Sequence, residues 1–91
     1  VKSVARLGGG ISMTKTLYQL RAGETARIRS IGTDVVTKER LESLGMIEGV
    51  EVGMVRSTPL GNPRIYRALN TMIALRNDVA KLIEVEVADH V

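Results

Sequence analysis

The sequence predicts a small, mainly β barrel carrying one short helix. Three observations lead there. Apolar and polar residues alternate with a period of two in several short runs, the signature of half-buried strands. Turn residues recur between those runs: Gly23, Glu48-Gly49, the stretch 58–63 with its two prolines and Gly61-Asn62, and Asn70-Thr71. Only one stretch, 37–44, has helical spacing with start and stop signals at its ends. With 91 residues the chain makes one domain and buries a limited core.

The elements follow in chain order. Residues 1–14 read as a flexible N-terminal extension or tag, hinged at Gly8-Gly9-Gly10, and residues 15–91 as the folded domain. Met13 would be a natural start, and removal of residues 1–12 is expected to leave the melting temperature nearly unchanged. Leu17, Leu20 and Gly23 form a lead-in that pins the first strand to the core. Residues 25–31 alternate, with Ala26 and Ile28 on one face and Arg27 and Arg29 on the other. Thr37 is the expected N-cap of the helix, with Glu39 in its first turn, where negative charge suits the dipole. Gly45 is placed to take a left-handed C′ conformation, and Met46 to fold back on Leu41 in a Schellman stop.

A turn at Glu48-Gly49 leads into a second strand, in which Val50, Val52 and Met54 alternate with Glu51, Gly53 and Val55. Gly53 inside it suggests a bulge or a close approach of backbone. Residues 65–69 and 72–75 pair as a hairpin around Asn70-Thr71. Asn77 is expected to cap a single helical turn through Lys81. Residues 82–87 make the last strand, with Ile83, Val85 and Val87 on one side and Glu84 and Glu86 on the other. The expectation is thus an SH3-like barrel of about five strands, one short α-helix and one helical turn, closed so that strand edges are hidden.

Composition narrows the function. The hydrophobic fraction is 44%, which suits a folded domain, and the core is aliphatic, since Tyr18 and Tyr66 are the only aromatic residues. The absence of cysteine removes disulfides, iron–sulfur clusters and thiolate metal sites, in keeping with a reducing cytoplasmic setting. No apolar run is long enough to cross a bilayer, and direct membrane insertion is not expected. The chain has 13 basic and 10 acidic residues, but Lys2, Arg6 and Lys15 precede every acid. From Thr16 onward bases and acids balance, so nucleic-acid binding would require Arg21, Arg27, Arg29, Arg64 and Arg67 to share one face. A mixed-charge solvated surface is the expected outcome, and no nucleic acid is expected as partner.

Catalysis is not expected: the only histidine, His90, is penultimate, and nucleophilic chemistry needs a positioned base. Glu84, Glu86, Asp89 and His90 are the only concentrated set of metal-ligand types and would suit Mn²⁺, Fe²⁺ or Zn²⁺. The favoured reading of that set is a solvated strand face ending in a loose tail, with no cofactor. No phosphate-binding loop is present, because Gly8-Gly9-Gly10 lacks the following Lys-Ser/Thr. A protein-binding surface remains. Leu44, Gly45, Met46, Pro59, Leu60, Gly61 and Tyr66 are expected to line an apolar cleft between the helix and the Pro59 loop. A groove for proline-rich ligands is disfavoured by the scarcity of aromatic residues.

Taken together, Leu17-x-x-Leu20-x-x-Gly23, Arg40-Leu41-x-x-Leu44-Gly45-Met46, Gly49, Pro59-Leu60-Gly61-x-Pro63 and Ile73-x-Leu75-Arg76 resemble the FeoA family of bacterial ferrous iron transport. The likeness covers nearly the whole body from Thr16 to Val87. Glu48 stands where the family usually has proline, Asn62 where it has aspartate and Asn70 where glycine is common. The resemblance implies an SH3-like barrel that regulates or assembles with the membrane transporter FeoB at its cytosolic GTP-binding region, as a cytoplasmic accessory and not an enzyme. It leaves open whether the chain forms a homo-oligomer. The alternatives are the SH3-like domain of a DtxR-type iron-dependent repressor, which would require a helix-turn-helix that this chain has no room for, and a small nucleic-acid-binding barrel.

Overall fold

The computed structural model describes the backbone of residues 4–7 and 10–89 and the side chains of residues 13–87. Seven strands form one antiparallel sheet: β1 (Val4–Leu7), β2 (Gly10–Thr16), β3 (Thr25–Ile31), β4 (Glu51–Ser57), β5 (Arg64–Ala68), β6 (Thr71–Leu75) and β7 (Ile83–Asp89). Their order is β1-β2-β7-β3-β4-β5-β6. The five strands read from the sequence are β3 to β7. The other two lie where a flexible extension was expected: Ile11 to Thr16 pair with Asp89 to Glu84 of β7, so the boundary after residue 14 falls inside β2. Among the described residues β1 pairs only with β2, and β6 only with β5. The sheet curls around its core but is not a closed barrel, and two edges remain.

Burial follows the alternation. Ala26, Ile28 and Ile31 of β3, Val52 and Met54 of β4, Tyr66 and Ala68 of β5, Ile73 and Leu75 of β6, and Ile83 and Val85 of β7 point inward. Leu17 and Leu20, on either side of a 3-10 turn at Leu17–Gln19, close one end of this core. Gly53 lies opposite Thr25, where a Cβ would meet the Thr25 methyl at 3.4 Å. The β4 bulge falls just beyond it, between Met54 and Arg56.

Helix α1 (Val35–Ser43) starts three residues earlier than expected, because Asp34 and not Thr37 is its N-cap. The Thr37 amide donates to the Asp34 carboxylate at 3.2 Å. Aspartate outranks threonine as a cap, which outweighs the poor helix propensity of Val35 and Val36. The C-terminus is the Schellman stop that the sequence announces. Gly45 has φ +103°, its N–H donates to the Glu42 carbonyl at 3.1 Å, and the Met46 N–H donates to the Leu41 carbonyl at 2.9 Å.

Two further boundaries move. The hairpin turn is Leu69-Asn70, with φ values of 48° and 63°, and Thr71 already belongs to β6. Two successive positive φ angles match the right-handed twist of the flanking strands. Helix α2 (Asn77–Ala80) has Arg76 at its N-cap, and Asn77 is its first residue. The Asn77 side chain is drawn away from capping by a partner in the Pro59 loop.

Candidate functional site: a braced loop and an exposed apolar end

The loop between β4 and β5 is tied at several points. The Gly61 N–H donates to the Thr58 carbonyl at 2.8 Å, and the Thr58 hydroxyl donates to the Pro63 carbonyl at 2.7 Å. From outside the loop, Asn77 Nδ2 donates to the Gly61 carbonyl at 2.9 Å, and the Asn77 N–H donates to Asn62 Oδ1 at 3.0 Å. These bonds hold the turn rigid while Pro59 is exposed and Leu60 protrudes with 94% of its surface free. A leucine carried on a backbone already fixed by hydrogen bonds loses less conformational entropy on binding. Asn62 performs this bracing as an amide; its Oδ1 is the acceptor that the start of α2 uses.

Arg64, just after the loop, fastens the same end to the 3-10 turn. Its Nη1 donates to the Tyr18 carbonyl at 2.8 Å and to the Leu20 carbonyl at 3.3 Å. The guanidinium also lies 4.5 Å from the Tyr18 ring centre, and the Lys81 ammonium lies 4.7 Å from it. Beneath them Tyr66 is fully buried, and its hydroxyl has no hydrogen-bond partner. Burial pushes the Tyr66 hydroxyl above the ordinary phenol range, and the nearby positive charge of Arg64 offsets this in part.

The structure separates the residues expected to line one cleft. Met46 and Tyr66 are both 0% exposed and belong to the core, so neither contributes a contact surface. Met46 is buried because the Schellman stop turns it back onto Leu41. Tyr66 is buried because it occupies an inward position of β5. Gly45 is buried against the hairpin turn, its α-carbon side facing Leu69 Cδ1. Leu44 is 42% exposed, and Ile47, Leu69 and Met72 are exposed too. Gly45 thus lies beside Leu69, just past one end of β5, whereas Pro59, Leu60 and Gly61 precede its other end. Five residues of strand put roughly 16 Å between them. Two apolar features therefore replace the single cleft. No local pattern signals the split, since strand pairing alone decides which loops share an end of the sheet.

The other candidates also resolve. Glu84 lies beside Arg29, Oε1 to Nε at 3.7 Å, and faces Thr16 and Ser30 across the ladder. Glu86 faces Thr14 and Arg27. Arg29 also donates to the Thr14 hydroxyl, and Arg27 to the Gly49 carbonyl. This face of β2, β7 and β3 is a lattice of opposite charges, and no group of three metal-ligating side chains occurs among the described residues. His90 lies outside the described residues. The five arginines do not make one unopposed patch: Arg27 and Arg29 sit beside the β7 glutamates, Arg64 is held by the Tyr18 and Leu20 carbonyls, Arg67 is an exposed residue of β5, and Arg21 lies in the turn before β3. No helix among the described residues is long and apolar enough to cross a membrane.

A mainly β, SH3-like domain with exposed apolar features on braced backbone is the class of protein these observations define. Residues 15–87 match the FeoA domain family, and the chain belongs to that family, whose members are small accessory proteins of ferrous iron transport. It is similar to FeoA of Stenotrophomonas maltophilia, described as an SH3 domain protein and solved with zinc: 32% identity, 82% of this chain and 89% of that one covered, TM-score 0.64. The solution structure of iron(II) transport protein A from Clostridium thermocellum is 37% identical, with 80% of this chain and 45% of that one covered and a TM-score of 0.75. A curated relative from Porphyromonas gingivalis is a fusion of Fe(2+) transport protein A with the transporter FeoB. It is 31% identical over 70 residues, or 77% of this chain, which spans 8% of that protein's length. A manganese-dependent transcriptional repressor, 17% identical with a TM-score of 0.72, shares the fold alone.

Proposed function

We propose that this chain is a cytoplasmic accessory protein of ferrous iron uptake that acts by binding the cytosolic GTP-binding region of a FeoB-type transporter, and that it is not an enzyme. The observation that carries this reading is the Porphyromonas gingivalis fusion protein, whose name joins the two activities in one polypeptide. Covalent linkage gives two modules a high effective concentration, which is useful where they must associate. The braced loop supports the choice of contact. Leu60 is held out by hydrogen bonds that involve Asn77 and Thr58, and such a preorganised apolar anchor is what the centre of an interface requires. Leu44, which precedes Gly45 at the other end of β5, is the second contact point.

The test is capture of the transporter's isolated cytosolic domain by this protein and by its Leu60→Asp and Leu44→Asp variants. Both side chains are exposed, so both variants are expected to keep the wild-type melting temperature. Leu60→Asp is expected to weaken capture by about tenfold or more. Full binding by Leu60→Asp would remove the loop from the interface, and no capture by the wild-type protein would remove the partner. Met46→Asp is unsuitable as a probe, because it places a charge in the core.

A further inference from the structure

The charges of the domain are unevenly distributed along the sheet. From Val52 to Asn77 the chain has no acidic residue and four arginines: Arg56, Arg64, Arg67 and Arg76. Arg64 is consumed by Tyr18 and Leu20. Among the described residues Arg56 and Arg67 make no ion pair or side-chain hydrogen bond, and Arg76 has a loose, solvent-exposed pairing with Asp78 at 3.8 Å. The cross-strand neighbours of Arg67 are Gly53 and Met72, and those of the Arg56 position are Ile65 and then Ala74, so no carboxylate faces either arginine across the sheet. Glu24, Glu51 and Arg67 line one groove of about 650 Å³ beside Gly53, but among the described residues no ion pair joins either carboxylate to Arg67, and Glu24 accepts the Arg21 N–H at 2.6 Å.

This cationic unit ends in a bare strand edge. β6 reads Thr-Met-Ile-Ala-Leu, with no charge, proline or bulge, the devices that normally protect an edge. Met72 is half exposed and Ala74 is exposed, on the same outer face as Arg67. In a hairpin closed by two residues the pair next to the turn, Ala68 and Thr71, is hydrogen-bonded, so alternation turns the N–H and C=O of Met72 and Ala74 away from β5. Among the described residues no backbone bond from outside the sheet reaches 71–75.

We propose that the β6 edge is a strand-addition site for an extended segment of a partner protein in which acidic and apolar residues alternate. The backbone of such a segment completes the bonds of Met72 and Ala74, its carboxylates fall on the outer face that Met72 shares with Arg67, and its apolar side chains fall on the opposite face beside Ile73 and Leu75. Its carboxylates would lie about two strand spacings, roughly 10 Å, from the Arg67 backbone, within joint reach of the two side chains. Nucleic acid would meet the charge but not the paired N–H and C=O groups or the apolar face. The site is independent of the Leu60 loop, and Leu60→Asp is expected to leave it intact.

The test is titration of the ¹⁵N-labelled protein with a short synthetic peptide of alternating valine and glutamate, and with its valine–lysine counterpart. The glutamate peptide is expected to shift the amide signals of residues 71–75, most at Met72 and Ala74, and to bind about tenfold or more tightly than the lysine peptide. Reversing the charges with Arg56→Glu and Arg67→Glu is expected to reverse that preference. Ala74→Pro removes one edge donor without touching the β5 ladder and is expected to abolish binding; the charge-reversal pair decides the matter if that variant does not fold. Equal binding of the two peptides, shifts confined to other residues, or no shifts at millimolar peptide would overturn the proposal. So would concentration-dependent shifts of 71–75 without peptide, which would mark a second copy as the occupant, or the same shifts with a single-stranded oligonucleotide.

Discussion

The Arg64 guanidinium sits 4.5 Å from the centre of the Tyr18 ring while its Nη1 donates to the Tyr18 carbonyl at 2.8 Å. One side chain thus grips both the ring and the backbone of a residue 46 positions away in sequence. Lys81 approaches the same ring at 4.7 Å, so three segments (the 3-10 turn, β5 and the end of α2) meet at Tyr18. Arg64→Met keeps the aliphatic stem but leaves two carbonyls without a donor. It is expected to lower stability by about 1–3 kcal/mol, whereas Lys81→Met should cost less than about 1 kcal/mol. Chemical denaturation of the two variants checks the order; equal effects would mean that the ring contact and not the carbonyl bonds matters most.

Tyr66 gives a prediction in alkali. Its pKa is raised in the folded protein, mainly by burial, so the unfolded chain ionises first as pH increases. Stability from this group is complete below the ordinary phenol value near pH 10 and is lost as pH climbs through the folded value. Tyr66→Phe should remove that alkaline loss. Because the hydroxyl makes no hydrogen bond of good geometry and only the adjacent Arg64 eases its burial, the variant is also expected to stay within about 1 kcal/mol of wild-type stability at neutral pH. A marked destabilisation at pH 7 would show that the hydroxyl is satisfied in solution.

Asp34 acts in the opposite direction on the pH axis. Bonds from Thr37 hold its carboxyl below the usual carboxylate range. The cap's contribution is therefore present above the unfolded value, about pH 4, and is lost as pH falls through the lower folded value. Asp34→Ala should lower the melting temperature at neutral pH, Asp34→Asn should nearly restore it, and the gap between Asp34 and Ala should narrow in acid. Thermal melts at two pH values measure this.

Gly45 serves two purposes at one position. Its φ of +103° is unfavourable for any residue with a Cβ, and a Cβ there would lie 3.4 Å from Leu69 Cδ1. Gly45→Ala is expected to cost about 1–2 kcal/mol by straining the helix stop. Adding Leu69→Ala relieves the crowding but not the dihedral. A double-mutant cycle should therefore recover only part of the loss.

Leu41, Gly45 and Met46 show how local chemistry can be read directly. A left-handed glycine followed by an apolar residue specifies both bonds of the helix stop wherever the helix is placed. The strands β3 to β7 were legible for the same reason, since burial on one face imposes a period of two. Local rules met their limit at the caps: Thr37 looked like the start of α1 until Asp34 was seen to hold its amide, and Asn77 gave up capping for Gly61, a residue 16 positions away.

What the sequence by itself determined was the alternation of β3 to β7, the glycine-ended helix and the motifs of the family. Only the tertiary structure decided which of the apolar residues are surface. Leu60 and Tyr66 are similar in their preference for burial, yet one is free at a loop tip and the other is enclosed by β4 and β6. Strand order and register are set by contacts between distant segments, and they place Leu44 and Leu60 at opposite ends of β5. The same order leaves one edge of β6 open and places Arg67 on the strand next to it. Periodicity within a strand indicates which side chains face inward, but not which strand has a neighbour.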